Sequence, residues 1–130
     1  MARLVRQAFV VALAAIGAGC VAAAAAAGAG GAVYVTSRGA EALVEGQPAT
    51  LESRIRTVLE RHGVAITETG TSDGGDTMSW GGKAGELDVS VTARRESPST
   101  AKVTVTARRN VADWDKEFAE RLLQEIVAGR

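Results

Sequence analysis

Cys20 is the only cysteine and His62 the only histidine in this 130-residue chain. An internal disulfide and a multi-histidine metal site are therefore excluded. Cys20 directly follows three small residues, Gly17-Ala18-Gly19. This placement resembles a lipobox, where small residues let a signal peptidase hold extended backbone closely, the cysteine thiol receives a diacylglyceryl group and the cysteine becomes the new N-terminus. Cys20 is the candidate lipidation site; if it carries lipid, it cannot act as a thiol nucleophile. His62 has no nucleophile–base constellation around it in the sequence, and its place at the end of a helix assigns it to packing or to the helix dipole. Asp73 and Asp76 stand three residues apart in the glycine-rich stretch Ser72–Asp76. A calcium loop needs more oxygen ligands and a closing glutamate, so the stretch reads as a solvated turn. Catalytic, cofactor and metal residues are accordingly expected to be none.

Two basic doublets, Arg94-Arg95 and Arg108-Arg109, offer contacts to anionic lipid or peptidoglycan, or salt bridges to acids such as Asp88. Nucleic acid is not the expected partner, because aromatic residues are scarce and the part of the chain that carries the doublets is acidic. Trp80, Trp114 and Phe118 are read as core, with an aromatic contact surface as the alternative.

The elements that position these residues begin with a leader. Arg3 and Arg6 precede the nine-residue apolar run Ala8–Ile16, and no charged side chain occurs from Ala8 to Val35. This is the layout of a bacterial secretory signal. The formal charge of zero divides into +3 over residues 1–40 and −3 over residues 41–130. Gly17 occupies the place where a lipobox usually has leucine, so two other outcomes stay open. The stretch Ala8–Ala27 is long enough to cross ~30 Å of hydrocarbon uncut, or an ordinary signal peptidase cuts among the alanines between Ala22 and Ala29. All three readings put the C-terminal part outside the cytoplasm. With Cys20 lipidated, the rule for lipoproteins generally, by which Asp after the cysteine retains the protein in the inner membrane, makes Val21 favour the outer membrane of a Gram-negative envelope.

The domain plan is a signal peptide over 1–19, a lipid-anchored Ala/Gly tether over 20–37 and a periplasmic domain over 38–130. Ala40–Glu45 alternates as a strand, ended by Gly46 and Pro48. Leu51, Ile55, Val58, Leu59 and His62 form one stripe of a helix over Thr50–His62, flanked by Glu52–Arg56 and Arg56–Glu60 pairs and stopped by Gly63. Strands follow at Val64–Thr69 and Asp76–Trp80, with a loop over Gly70–Asp76 and a flexible turn over Gly81–Gly85. Glu86–Arg94 and Ala101–Arg109 alternate strictly and predict a hairpin about Pro98, with Val91 opposite Val105 and Asp88 opposite Arg108. A last helix spans about Asp113–Ala128, capped by Asp113 and ended by Gly129.

The expected fold class is α+β: an antiparallel sheet of four to five strands with two helices on one face, in the order β-α-β-β-β-β-α, after an N-terminal apolar helix. The Gly-Cys signal, the Ala/Gly spacer into Ala32-Val33-Tyr34-Val35, the stretch Leu59-Glu60-Arg61-His62-Gly63-Val64, the valine-rich hairpin and the closing Leu122-Leu123…Ile126 resemble a family of small bacterial periplasmic lipoproteins of unknown function. The resemblance covers nearly the whole chain and rests on packing patterns. It implies a membrane-anchored α+β domain and carries over only Cys20. Together these features predict a non-catalytic, lipid-anchored binding or accessory module of the cell envelope, held by membrane lipid through acylated Cys20 and facing an envelope or membrane-protein partner. The alternative is a single-pass subunit of a membrane complex with the helix uncut.

Overall fold

The computed structural model describes residues 32–129. Cys20, the signal peptide and the expected N-terminal apolar helix lie outside the described residues. What is described is an α+β layer pair: one six-stranded antiparallel sheet with two helices. In chain order the elements are β1 (Val33–Val35), β2 (Gly39–Glu45), α1 (Pro48–Arg61), β3 (Ala65–Ser72), a 3₁₀ turn (Asp73–Gly75), β4 (Thr77–Ala84), β5 (Leu87–Ser97), β6 (Thr100–Arg108) and α2 (Lys116–Ala128). The sheet order is β1-β2-β6-β5-β4-β3. α1 therefore carries the chain across the whole sheet, from β2 on one side to β3 at the far edge.

The β5–β6 hairpin has the register expected from its alternation, Val91 opposite Val105 and Asp88 opposite Arg108. Period-two patterning on both strands excludes a slip by one residue, which would turn every valine to the other face. Its apolar side lines up with neighbouring strands in one continuous row, Trp80–Val91–Val105–Ala40. α2 covers β1, β2 and β6, and α1 covers β3, β4 and β5. Leu51, Ile55, Val58 and Leu59 of α1 and Leu122, Leu123 and Ile126 of α2 are buried against the sheet. Beneath α2 the sheet presents mostly small residues, Ala40, Ala42, Ala101 and Ala107, which let the leucines seat close to the backbone.

Five expectations are corrected. Val33–Val35, assigned to the tether, forms edge strand β1 paired with Ala40–Ala42, so the sheet has six strands rather than four to five. The run Gly81–Gly85 is not a flexible turn: β4 continues to Ala84 and pairs with Leu87–Arg94 of β5. A glycine is needed inside this strand because β3 bulges between Ile66 and Glu68, and a Cβ on Gly82 would run into the Ala65 carbonyl. β3 also extends to Ser72, leaving only Asp73–Gly75 of the expected loop as a 3₁₀ turn. α2 starts at Lys116 and is capped by Asp115, whose carboxylate accepts from the Phe118 N–H at 3.0 Å, not by Asp113. Asp113 and Asp115 are instead tied to the end of β6: the Asp113 carbonyl accepts from Arg109 N–H and Asp115 N–H donates to the Ala107 carbonyl, both at 2.8 Å. α1 begins with Pro48 at its first position, two residues before the expected start, and ends ahead of Gly63, whose φ of 75° is the left-handed conformation a helix stop needs.

Leu122→Ala, at a fully buried site facing the small-residue rows, is expected to lower stability by about 2–5 kcal/mol in urea unfolding. Thr104→Ala on the uncovered side should change it by less than about 0.5 kcal/mol.

Candidate functional site

The helices cover only one side of the sheet. On the other side, register places Thr77, Ser79, Ser90, Thr92, Thr104 and Thr106 in neighbouring rows, with Gly39 and Gly81 contributing no side chain. The result is a flat, hydroxyl-lined open face. Alternation makes it inevitable: every second residue of a strand that buries valine on one side must point to the other.

Charged and aromatic groups stand at the two ends of this face. At the end near the β5–β6 turn, Tyr34, Glu41, Leu43, Glu96 and Lys102 line an open hollow of ≈ 310 Å³. A smaller one of ≈ 150 Å³ adjoins it between Thr92, Arg94, Lys102 and Thr104. Lys102 belongs to both and pairs with Glu41 at 3.6 Å, while Arg94 donates to Glu96 at 2.8 Å. That hydrogen bond holds the Glu96 carboxyl below its ordinary pKa and raises that of Arg94. Tyr34 is 65% and Leu43 55% exposed, so this end also carries an apolar strip.

At the opposite end the chain leaves β6, turns, and returns against it. Asn110 shapes the turn by accepting from the N–H groups of Ala112 and Asp113, both at 3.0 Å. The return makes a single antiparallel bridge between Trp114 and Arg108. Bridge partners share a face, so Trp114 lies on the open side. The indole is half-buried and flanked by two guanidinium groups, with Arg38 and Arg108 each 5.5 Å from its centroid. The reading of Trp114 as core is therefore corrected. Trp80 is core, with 1% exposure, and Phe118 packs partly buried against the core's edge.

The remaining sequence candidates fall elsewhere. Arg95 pairs with Asp76 at 3.5 Å, and Arg109 with Asp113 and Asp115 at 3.5 and 3.6 Å. Asp88 pairs with Lys83 at 3.2 Å rather than with Arg108. Asp73 accepts from the Thr77 hydroxyl at 3.2 Å. His62 caps the end of α1 and meets Glu125 of α2 at 2.8 Å, with Arg61 at 3.5 Å from the same carboxylate. Its ring stands edge-on to Phe118. These contacts latch the two helices together far from the open face. Among the described residues, no group of three or more His, Cys, Asp or Glu side chains is arranged to hold a metal ion, and no helix is long and apolar enough to cross a membrane.

Sequence reasoning missed the Arg38–Trp114–Arg108 cluster because Arg38 and Trp114 are 76 positions apart in the chain. The one available signal was Asn110 followed by Asp113, a turn marker inside what reads as the approach to a helix. Comparison with protein-family models, with curated proteins and with solved structures finds no match to the chain.

The hydrogen bond from His62 holds the Glu125 carboxyl below its ordinary pKa, and Arg61 acts in the same direction. A depressed carboxylate stabilises the fold above the unfolded glutamate value, about 4.3, and loses that contribution as pH falls through the lowered value. Glu125→Gln should therefore unfold with less dependence on pH than the wild type below about pH 4.3, measured as urea midpoints across an acid series. Parallel midpoint curves would contradict this.

Proposed function

We propose that the chain is a lipoprotein of the bacterial cell envelope. Its leader is removed before Cys20, Cys20 is acylated, and the α+β domain is held at the periplasmic surface as a non-catalytic module that binds through its open sheet face. The observation that carries this reading is the order of the first twenty residues: Arg3 and Arg6, the apolar run Ala8–Ile16, then Gly17-Ala18-Gly19-Cys20. Val21 favours the outer membrane as the destination. The resemblance to small periplasmic lipoproteins points the same way.

The geometry of the domain suits such a module. Twelve residues separate Cys20 from the first strand at Val33, a span of at most about 40 Å. The anchor would thus keep the domain within one domain diameter of the lipid. The chain enters at the sheet end that holds Leu43, the β5–β6 turn and the start of α1, because Val33 pairs with Ala42. Acyl chains on Cys20 contribute roughly 0.8 kcal/mol per buried methylene, so several chains together anchor the protein firmly. The open face offers shallow hollows and a broad polar surface, a shape for contacting an extended partner rather than enclosing a small substrate.

Globomycin treatment followed by mass spectrometry of the N-terminus tests the anchor. The expected result is accumulation of the uncut precursor with the drug, and without it a mature chain beginning at acylated Cys20. Cys20→Ala should release the protein from the lipid-anchored fraction. An unmodified Cys20 in a mature chain overturns lipidation. Recovery of an intact Met1 end with stoichiometric membrane partners would instead mark an uncut single-pass subunit.

A further inference from the structure

The cluster Arg38–Trp114–Arg108 stands at one end of the open face, with two guanidinium groups over one indole. We propose that it binds the peptidoglycan of the envelope, with the two guanidinium groups gripping carboxylates of its peptide stems and the hydroxyl-lined sheet supporting the sugar rings of its glycan strand. This deepens the proposed envelope role and rests on that reading.

Charge is the first argument. Lys83, Arg94 and Lys102, the other cations of the open face, each have a carboxylate partner. Among the described residues Arg38 and Arg108 have none, and both stack on the same indole. With each guanidinium 5.5 Å from one centroid, the two are within about 11 Å of each other. Guanidinium groups take carboxylates in a bidentate fork, and stacking on Trp114 restrains them before the ligand arrives, which lowers the ordering cost of binding. Trp114 is thus a positioning residue. Asp88, the nearest acid in the Arg108 row, is already engaged by Lys83.

Surface shape is the second. From this cluster the floor runs along β2 and β6 over Gly39 and Thr106 to Thr104 and Glu41. The four steps of β6 from Thr104 to Arg108 cover roughly 14 Å at ~3.4 Å each. Between the cluster and Glu41 the floor is bare or hydroxylated, Gly39, Thr106 and Thr104, and the exposed Tyr34 and Leu43 lie past it toward the β5–β6 turn. A flat ring bearing hydroxyls suits this floor, whereas a globular partner has little to grip.

Position is the third. The tether enters beside Ala42, at the end of the sheet that carries the β5–β6 turn, and the cluster lies at the opposite end. The cluster thus lies at the end of the sheet remote from the point where the chain enters β1.

The test is co-sedimentation of the full chain, solubilised in detergent micelles, with purified peptidoglycan sacculi. Wild type should pellet, and the bound fraction should fall as salt rises from about 0.1 to about 1 M, which shortens the screening length from ~10 to ~3 Å. Arg38→Ala and Arg108→Ala should each weaken binding at least about threefold, and the double variant about tenfold or more, in line with loss of charge-assisted hydrogen bonds. Trp114→Ala should weaken it and Trp114→Phe should restore most of it. Arg121→Ala, which removes one charge from α2 and only a stacking contact with Phe118, should bind within about twofold of wild type, a change of less than ~0.4 kcal/mol. Circular dichroism reports whether each variant is folded. Three results overturn the proposal: wild type staying in the supernatant, folded double variant pelleting like wild type, or binding to anionic lipid vesicles that exceeds binding to sacculi. The assay reads the domain whether or not Cys20 is acylated, so an unmodified cysteine defeats the anchor and leaves this result standing.

Discussion

The strict two-residue alternation of β5 and β6 is the constraint on which the rest of the molecule depends. It places Val89, Val91, Val103 and Val105 on one side and serine, threonine and charge on the other. One side must then be covered. The two helices do so from opposite directions, α1 by crossing from β2 to the far edge and α2 by folding back from β6. Hydrophobic burial scales with the area removed from water, so two helices of 14 and 13 residues suffice for a sheet this narrow. Among the described residues nothing covers the second side, and that open face follows from the same alternation that builds the core.

The sheet offers small residues under α2 and larger ones under α1. Alanines on β2 and β6 admit Leu122, Leu123 and Ile126 closely, whereas Trp80 on β4 fills the space below the other half of the sheet. The His62–Glu125 contact then fixes the helices relative to each other at the end of α1. Packing of this kind rigidifies the sheet from beneath, which is what a flat recognition surface requires when it has no pocket walls of its own.

Much of the fold was legible because the signals were redundant. The β5–β6 register follows from Pro98 and eight alternating apolar positions, and the stripe from Leu51 to Leu59 specifies α1 almost without help. The misreadings share a physical origin. Val33-Tyr34-Val35 sits at the tail of a long uncharged run, so composition hides a strand that only β2 can recruit. Gly81-Gly82 looks like a turn because glycine's local preference is weak, and the neighbouring β5 overrides it. Asp113 and Asp115 are equally good helix caps by type, and tertiary hydrogen bonds to β6 decide between them. Trp114 reads as core by size, yet the bridge to Arg108 turns it to the other face. The Arg38–Trp114–Arg108 cluster was illegible because proximity across that distance in sequence exists only after the sheet has formed.

The two tryptophans occupy opposite sides of the sheet, Trp80 sealed beneath the helices with an indole N–H that has no hydrogen-bond partner among the described residues and Trp114 half in water between two cations. Their light emission is separated by environment alone: a buried, unpaired indole emits at short wavelength and is shielded from dissolved quenchers, whereas a half-exposed one emits further to the red and is open to them. The molecule therefore carries two native optical probes, one for its interior and one for its outer face. Unfolding and surface occupancy become distinguishable in a single spectrum, without a label.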